Sequence, residues 1–431
     1  MVIREYSKVE LVFSSSESEA VKIALVNLRR DLIRTLDCSV TAGGIIRILV
    51  GTVGNLPELD KKADISKLQA EDGTYRKEAF LIQEKDGELL IAGTDRRGTI
   101  YGIYDFCEWL GVSPWYFFAD VPVRRRSEVV IENGYCKVDY PSVEYIGIFI
   151  NDEEELEHWV WRYMGETTIG VKTYEKIFEL LLRLKLNYIW PAMHVNSFNL
   201  KQENGALANR MGIVVGTSHC DMLMRSNNRE WKPWLANKGY TDVEYDFSIP
   251  GRNREILKEY WRESVEQNRD FEVSYTVGMR GIHDSGFETK SLEGLTGEKL
   301  LKAKIELLES VMAAQQEILS ETLDTEPMKT FVPYKEVLEL YDNGLKVPED
   351  LTLIWTNDNY GYVRRYPGEK EKARKSGNGI YYHNSYWAPP GASYLFICSI
   401  PMSHTRNELL KAYKEGIQKV WVTNFGAIKP L

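Results

Sequence analysis

The chain has 431 residues, 43% apolar and 27% charged, enough for two domains and a sizeable core. Its formal net charge is −9, no basic stripe suited to a nucleic-acid backbone is present, and no stretch approaches membrane-spanning length. Neither nucleic acid nor membrane is therefore expected as a partner.

Five cysteines (Cys38, Cys107, Cys136, Cys220, Cys398) are scattered and lack CxxC spacing, which reads as mostly buried free thiols in a reducing compartment. Met1-Val2-Ile3-Arg4-Glu5-Tyr6 has no basic segment or apolar run of a signal peptide. The expected location is cytoplasmic, or secreted or periplasmic if a leader has been removed. Eleven Trp and 25 Tyr exceed the needs of a core and offer apolar faces on which sugar rings pack.

Residues 1–138 read as a small mixed α/β domain. Val9 to Phe13 is strand-like, and Ser16 with Glu19 has the capping-box spacing for a helix start. In that helix Val21, Ala24, Leu25, Leu28, Leu32 and Leu36 share one face. Ile45 to Gly51 is a second strand, and Phe80 to Ile82 and Leu89 to Ala92 flank a hairpin turn at Lys85-Asp86-Gly87. Gly93-Thr94-Asp95-Arg96-Arg97-Gly98-Thr99 then opens a helix running through Leu110. It lacks GxGxxG and reads as a strand-to-helix turn rather than a phosphate loop. Val123-Arg124-Arg125-Arg126 reads as a solvated link.

Over residues 139–431 the rhythm changes to eight short apolar runs separated by amphipathic stretches. The runs are Val143 to Ile150, Leu186 to Trp190, Ile213 to Gly216, Phe271 to Val277, Thr330 to Pro333, Leu351 to Trp355, Ile380 to Tyr382 and Lys419 to Val422. Helical segments are expected at Lys172 to Leu184, Arg254 to Asn268, Gly297 to Gln316, Tyr334 to Asp342 and Thr405 to Gln418. This alternation predicts an α/β chain whose second domain is a (β/α)8 TIM-type barrel, cut off after its eighth strand. The missing eighth helix reads either as the mark of a fragment or as a flank covered by a partner, for which a homodimer is one possibility.

Chemistry in such a barrel sits at the C-terminal strand ends. Strand one leads into Asn151, Asp152, Glu153, Glu154 and Glu155; strand two ends in Trp190 and leads to His194 and Asn196. Strand three gives Ser218, His219, Cys220 and Asp221, and strand four gives Met279, Arg280, Gly281, His283 and Asp284. Strand five gives Tyr334, Lys335 and Glu336, strand six Asn357, Asp358, Asn359 and Tyr360, strand seven His383, Asn384 and Trp387, and strand eight Asn424. Four of the six histidines fall on this one face.

Arg280 after an apolar strand reads as a carboxylate clamp, with a structural salt bridge as the alternative. Glu336 beside Tyr334 reads as a general acid whose pKa partial burial would raise, or as a first-turn Glu favoured by the helix dipole. Asn357 and Asn359 alternate to one side of strand six, where paired amides can bind sugar hydroxyls, and Asp358 points away. The run Asp152 to Glu155 is either a solvated face or the source of one site residue. His219, Cys220 and Asp221 lack any clean metal-ligand spacing, so no metal and no cofactor are expected.

Five segments resemble glycoside hydrolase family 115, the xylan α-1,2-glucuronidases: Gly93 to Tyr104; Gly111 to Tyr116 with Ala119 to Val123; Gly147 to Glu153; Asn187 to Met193; and Asp358 to Gly361 with Arg364-Arg365. The resemblance implies an α/β first domain, a catalytic barrel, and further C-terminal helical and β-sandwich domains that this chain lacks. It implies inverting, metal-free removal of glucuronic acid or its 4-O-methyl ether from an oligo- or polysaccharide. By position it makes Glu336 the general acid, Arg280 and Asp284 part of the uronate and water site, and Asn359 and His383 further pocket residues. The second carboxylate that inversion needs, about 6.5–9.5 Å across the sugar, would be Asp284, with Asp152 in reserve. Asn357, Tyr334, His219, Trp190 and Asn424 complete the expected substrate-binding set.

The chain departs from the family's usual pattern in three places: it reads His219-Cys220-Asp221-Met222 for His-His-Glu-Pro, Ile282-His283-Asp284-Ser285 for Asp-Gly-Asp-Glu, and Asn357-Asp358-Asn359 for Asp-Asp-Asn. The alternative to an enzyme is therefore a non-catalytic or substrate-shifted carbohydrate-binding fragment of the same fold.

Overall fold

The computed structural model describes residues 1–151, 153–384 and 398–428. Its first part holds β1 (Val2–Arg4), β2 (Lys8–Val12), α1 (Glu19–Leu36), β3 (Ser39–Val40), β4 (Ile46–Thr52), α2 (Pro57–Lys62), β5 (Phe80–Lys85), β6 (Glu88–Gly93), α3 (Arg96–Leu110), β7 (Glu128–Val130) and β8 (Cys136–Asp139). Six of these strands form one sheet in the order β3-β2-β4-β6-β5-β8, parallel from β3 to β6 and antiparallel on both sides of β5. The hairpin turn has Asp86 and Gly87 both left-handed (φ 54° and 80°), the pairing that matches strand twist in two-residue loops.

The helix face expected on α1 is buried from Val21 to Leu36. Its cap is Ser18, whose Oγ accepts from the Val21 N–H at 3.4 Å. Ser16, the expected cap, instead hydrogen-bonds Ser14 Oγ at 2.7 Å, because the chain turns into the helix two residues later.

The segment after β6 is a strand-to-helix turn. Asp95 caps α3, accepting from the N–H groups of Arg97 (3.0 Å) and Gly98 (2.9 Å). A Cβ at Gly93 would lie 2.0 Å from the Thr99 nitrogen, and one at Gly98 2.2 Å from the Ala79 oxygen, so both glycines serve close packing. Both arginines of the turn reach Glu272, far along the chain, and pair with it.

The barrel strands are β9 (Tyr145–Ile150), β10 (Tyr188–Trp190), β11 (Val214–Val215), β12 (Ser274–Thr276), β13 (Met328–Phe331), β14 (Thr352–Thr356), β15 (Asn378–His383) and β16 (Val420–Gly426). The helices among them are α4 (Glu153–Tyr163), α5 (Val171–Arg183), α6 (Gln202–Met211), α7 (Trp231–Lys238), α8 (Arg252–Asn268), α9 (Gly297–Thr322), α10 (Glu336–Asp342), α11 (Glu369–Lys372) and α12 (Met402–Lys414). All eight strands are parallel, in the order β11-β10-β9-β16-β15-β14-β13-β12, and a single bridge between Val215 and Val273 joins the two ends. The barrel is thus closed, as its near-continuous apolar strands require. Phe149, Tyr188, Trp190, Val214, Ile354, Tyr381 and Val422 fill its interior. Among the described residues no helix is long and apolar enough to cross a membrane. Cys38, Cys107 and Cys220 are buried free thiols, whereas Cys136 and Cys398 are exposed.

Helices α1 and α5, which flank the two sheets, are tied by largely buried charges. Arg183 of α5 donates to Asp31 of α1 at 2.6 Å, and both side chains are at most 2% exposed. Glu179 accepts from Arg183 (2.9 Å), Arg30 (2.7 Å) and the Tyr116 hydroxyl (3.0 Å). Burial alone would raise the Glu179 pKa, but Arg183 and Arg30 overcome it and hold the group at about 2. A carboxylate depressed on folding stabilises above its unfolded pKa, and that stability is lost as pH falls toward the folded value. Glu179→Gln should therefore flatten the acid side of the stability profile between about pH 4.5 and 2, measured by urea unfolding. Arg183→Met, which leaves the buried Asp31 only the half-buried Arg30 at 3.2 Å, should lower unfolding free energy by up to about 3 kcal/mol.

Candidate active site

The strand ends enclose a cavity of about 400 Å³, within the range of about 300–1,000 Å³ typical of small-molecule sites. Its wall is made by Phe149, Asn151, His194, His219, Cys220, His283, Asp284, Tyr334, Lys335, Asn359, Tyr381, His383 and Asn424. Of the residues expected at the site, His219, Asp284, Tyr334, Asn359, His383 and Asn424 line this space. Asp152 lies outside the described residues, as does Trp387.

Asp284 sits at a crossing of three cations or donors. Its Oδ1 accepts from His219 Nε2 at 3.0 Å and from Arg280, and its Oδ2 accepts from Lys335 Nζ at 2.9 Å. Burial pushes its pKa up, but the His219 hydrogen bond, Arg280 and Lys335 together hold it well below the usual carboxylate range. Burial lowers the pKa of His219, opposed by its hydrogen bond to Asp284. An ionised carboxylate can only accept, so His219 Nε2–H is the donor. The same desolvation lowers His383 well below its ordinary value, reinforced by His219 and Lys335.

Arg280 is 3% exposed and lies behind the wall. Its Nε and Nη2 grip Glu336 at 3.1 and 2.9 Å while Nη1 holds Asp284, so its fork is filled by the protein's own carboxylates. Glu336 also accepts from the Phe287 N–H at 3.2 Å and opens α10, but it is not part of the cavity wall. Glu336 and Asp284 thus share one guanidinium instead of facing each other across the cavity.

Two expectations are corrected. Asn357 is buried, and its amide orients His383: Nδ2 donates to the His383 carbonyl (2.9 Å), while Oδ1 accepts from the His383 N–H (2.8 Å) and faces Nδ1 at 3.0 Å. Only Asn359 of the pair faces the cavity, because strand pairing ends at Asn357 and a turn capped by Asp358 follows. Trp190 is fully buried inside the barrel and donates its Nε1–H to the Tyr188 hydroxyl at 3.0 Å, so it holds no sugar.

The acidic run after β9 is not a solvated face throughout. Glu153 is 1% exposed and accepts from the N–H groups of Met193, His194, Val195 and Asn196 at 2.7–3.1 Å, fixing the loop that carries His194. His283, Asp284 and Lys335 all have left-handed backbones (φ 57°, 60° and 50°), a strained arrangement for residues with a Cβ. Phe149 and Tyr381 were not expected in the wall. Stepping back by two from His383 along its strand would have found Tyr381, since alternate residues share a face.

Glu153→Ala should leave four buried donors without a partner and lower stability by at least about 3 kcal/mol, read by chemical denaturation with His194-loop exchange protection.

A family model described as Glycosyl hydrolase family 115 matches residues 138–431. Over 100% of its length the chain resembles a solved family GH115 4-O-methyl-α-glucuronidase with specificity for decorated arabinogalactans, at TM-score 0.88 and 35% identity. It spans 55% of that protein. A GH138 enzyme targeting pectin rhamnogalacturonan II shares the fold at TM-score 0.53 and 13% identity, over 97% of this chain and 46% of the other. No curated protein matches. With the family model matching most of the chain, and a member of the family sharing its fold from end to end, the chain belongs to glycosyl hydrolase family 115.

Proposed function

We propose that the strand-end cavity takes a glycan bearing α-1,2-linked glucuronic acid or its 4-O-methyl ether and hydrolyses that linkage with inversion. Family membership is the observation that carries this reading, and the cavity chemistry agrees with it. Aromatic faces at Phe149, Tyr334 and Tyr381 suit a sugar ring, and the Lys335 ammonium at the wall suits its carboxylate. The substrate can be uronate on xylan or on an arabinogalactan, the polymer acted on by the similar solved enzyme.

In this reading Asp284 serves as the base and Glu336 as the acid. An Asp held by His219, Arg280 and Lys335 is ionised, as a base must be, but weakly basic. A uronate carboxylate entering beside Lys335 competes with Asp284 for that ammonium. Asp284 then loses a cationic partner and becomes more basic on substrate binding. Glu336 acts only after its fork with Arg280 opens toward the sugar. The shared guanidinium also favours a second reading, in which the pair stays locked and the cavity binds sugar without turnover.

Product release from glucuronoxylan, aldouronic acids and arabinogalactan, with Glu336→Gln as control, separates the two. Free glucuronate from wild type and a loss of at least about 100-fold in Glu336→Gln is the expected result for an acid catalyst. Binding by calorimetry with no release from any of the three supports the locked site. Lys335→Met should raise KM for uronate substrates more than it lowers kcat. Since Asp284 stays ionised, kcat/KM should show no inflection from it in the range of about pH 3–5.

A further inference from the structure

We propose that His194, Cys220 and Asp221 form a binding site for a divalent transition-metal ion of the zinc class at the floor of the cavity. The proposal does not rest on the glucuronidase reading, although His194 and Cys220 belong to the same cavity wall, and it departs from the absence of metal expected from the sequence. One ligand atom from each residue lies within 4.8 Å of the others. Cys220 Sγ is 3.6 Å from His194 Nε2 and 3.6 Å from Asp221 Oδ2. Bonds of about 2.3 Å to sulfur and about 2.0 Å to nitrogen or oxygen, set at tetrahedral angles, put such ligand atoms about 3.5 Å apart. Both pairs that include the thiol already stand at the spacing one ion would impose, and the third lies within 4.8 Å.

The surroundings give a second, independent indication. Asp221 is 1% exposed, yet its Oδ1 has no hydrogen-bond partner among the described residues, and Oδ2 meets only the Ser218 hydroxyl at 3.3 Å besides the thiol. A carboxylate buried this deeply normally has a cation or several donors beside it. A thiol, an imidazole and a carboxylate are a mixed soft and borderline set, which selects zinc-like ions over calcium or magnesium. His194 and Cys220 line the cavity while Asp221 lies behind them, so a fourth position faces the substrate space. Three protein ligands with one open position is the arrangement of a site that can hold water or a substrate oxygen. On coordination the Cys220 thiol gives its proton to solvent and binds as thiolate.

The test uses the full chain, stripped with a chelator and titrated with Co²⁺ and then Zn²⁺. Wild type should take up one equivalent of Co²⁺ with a near-ultraviolet thiolate-to-cobalt charge-transfer band, which Zn²⁺ abolishes. Cys220→Ser should lose the band, and His194→Gln should weaken Co²⁺ by more than about tenfold. Cys136→Ser, an exposed thiol remote from the site, should leave both unchanged. If Cys220→Ser fails to fold by circular dichroism, His194→Gln and Asp221→Asn carry the test. The proposal is overturned if wild type binds neither ion, in which case the 3.6 Å contacts are thiol hydrogen bonds, or if uptake is unaltered in His194→Gln and Asp221→Asn.

Discussion

Removing a guanidinium from water costs several kcal/mol unless its donors are met, and Arg280 is 3% exposed. It can remain there only because Glu336 and Asp284 supply two carboxylates from two different strand-end loops. That need propagates. Asp284, drawn in by Arg280, gathers His219 from the β11 loop and Lys335 from the β13 loop, so three loops with little secondary structure are locked to one charge. The cavity shape follows in part from satisfying a buried cation, and two of the three left-handed backbones, at Asp284 and Lys335, belong to residues whose side chains meet there.

The same logic holds on the opposite side of the barrel, where Arg183 is enclosed by Asp31 and Glu179. There the partners come from two helices, α1 and α5, rather than two loops. A barrel helix and the first helix of the chain are thereby made parts of a single electrostatic unit, with Arg96 and Arg97 repeating the arrangement at Glu272.

The eight barrel strands were legible in the sequence because strands covered on both faces must be apolar along their length, and runs such as Leu351 to Trp355 announce themselves. The helices α4, α6, α7 and the one-turn α11 were not. α4 begins in three acidic residues that read as a solvated run, and nothing local reveals that Glu153 alone turns inward to meet four N–H groups. Six of the expected site residues line the cavity because barrel geometry collects strand ends regardless of side chain. Trp190 and Asn357 failed for different reasons: Trp190 is the last residue of β10 and its side chain fills the barrel interior, whereas Asn357 follows β14 and its amide is taken up by His383. Arg280 was readable as a clamp for carboxylate, but sequence could not say that the carboxylates would be the protein's own.

The left-handed backbone at the cavity rim has an evolutionary consequence. Glycine at His283 or Lys335, or asparagine at His283 alone, would relieve backbone strain that costs about 1–3 kcal/mol. Stabilising replacements are thus within a single substitution at the very positions that frame the cavity. Their side chains are what would be given up, so selection for thermal robustness and selection for ligand recognition pull in opposite directions there. A lineage that kept His283 and Lys335 was screened for what those side chains contact, whereas one released from that screen would drift toward the easier backbone.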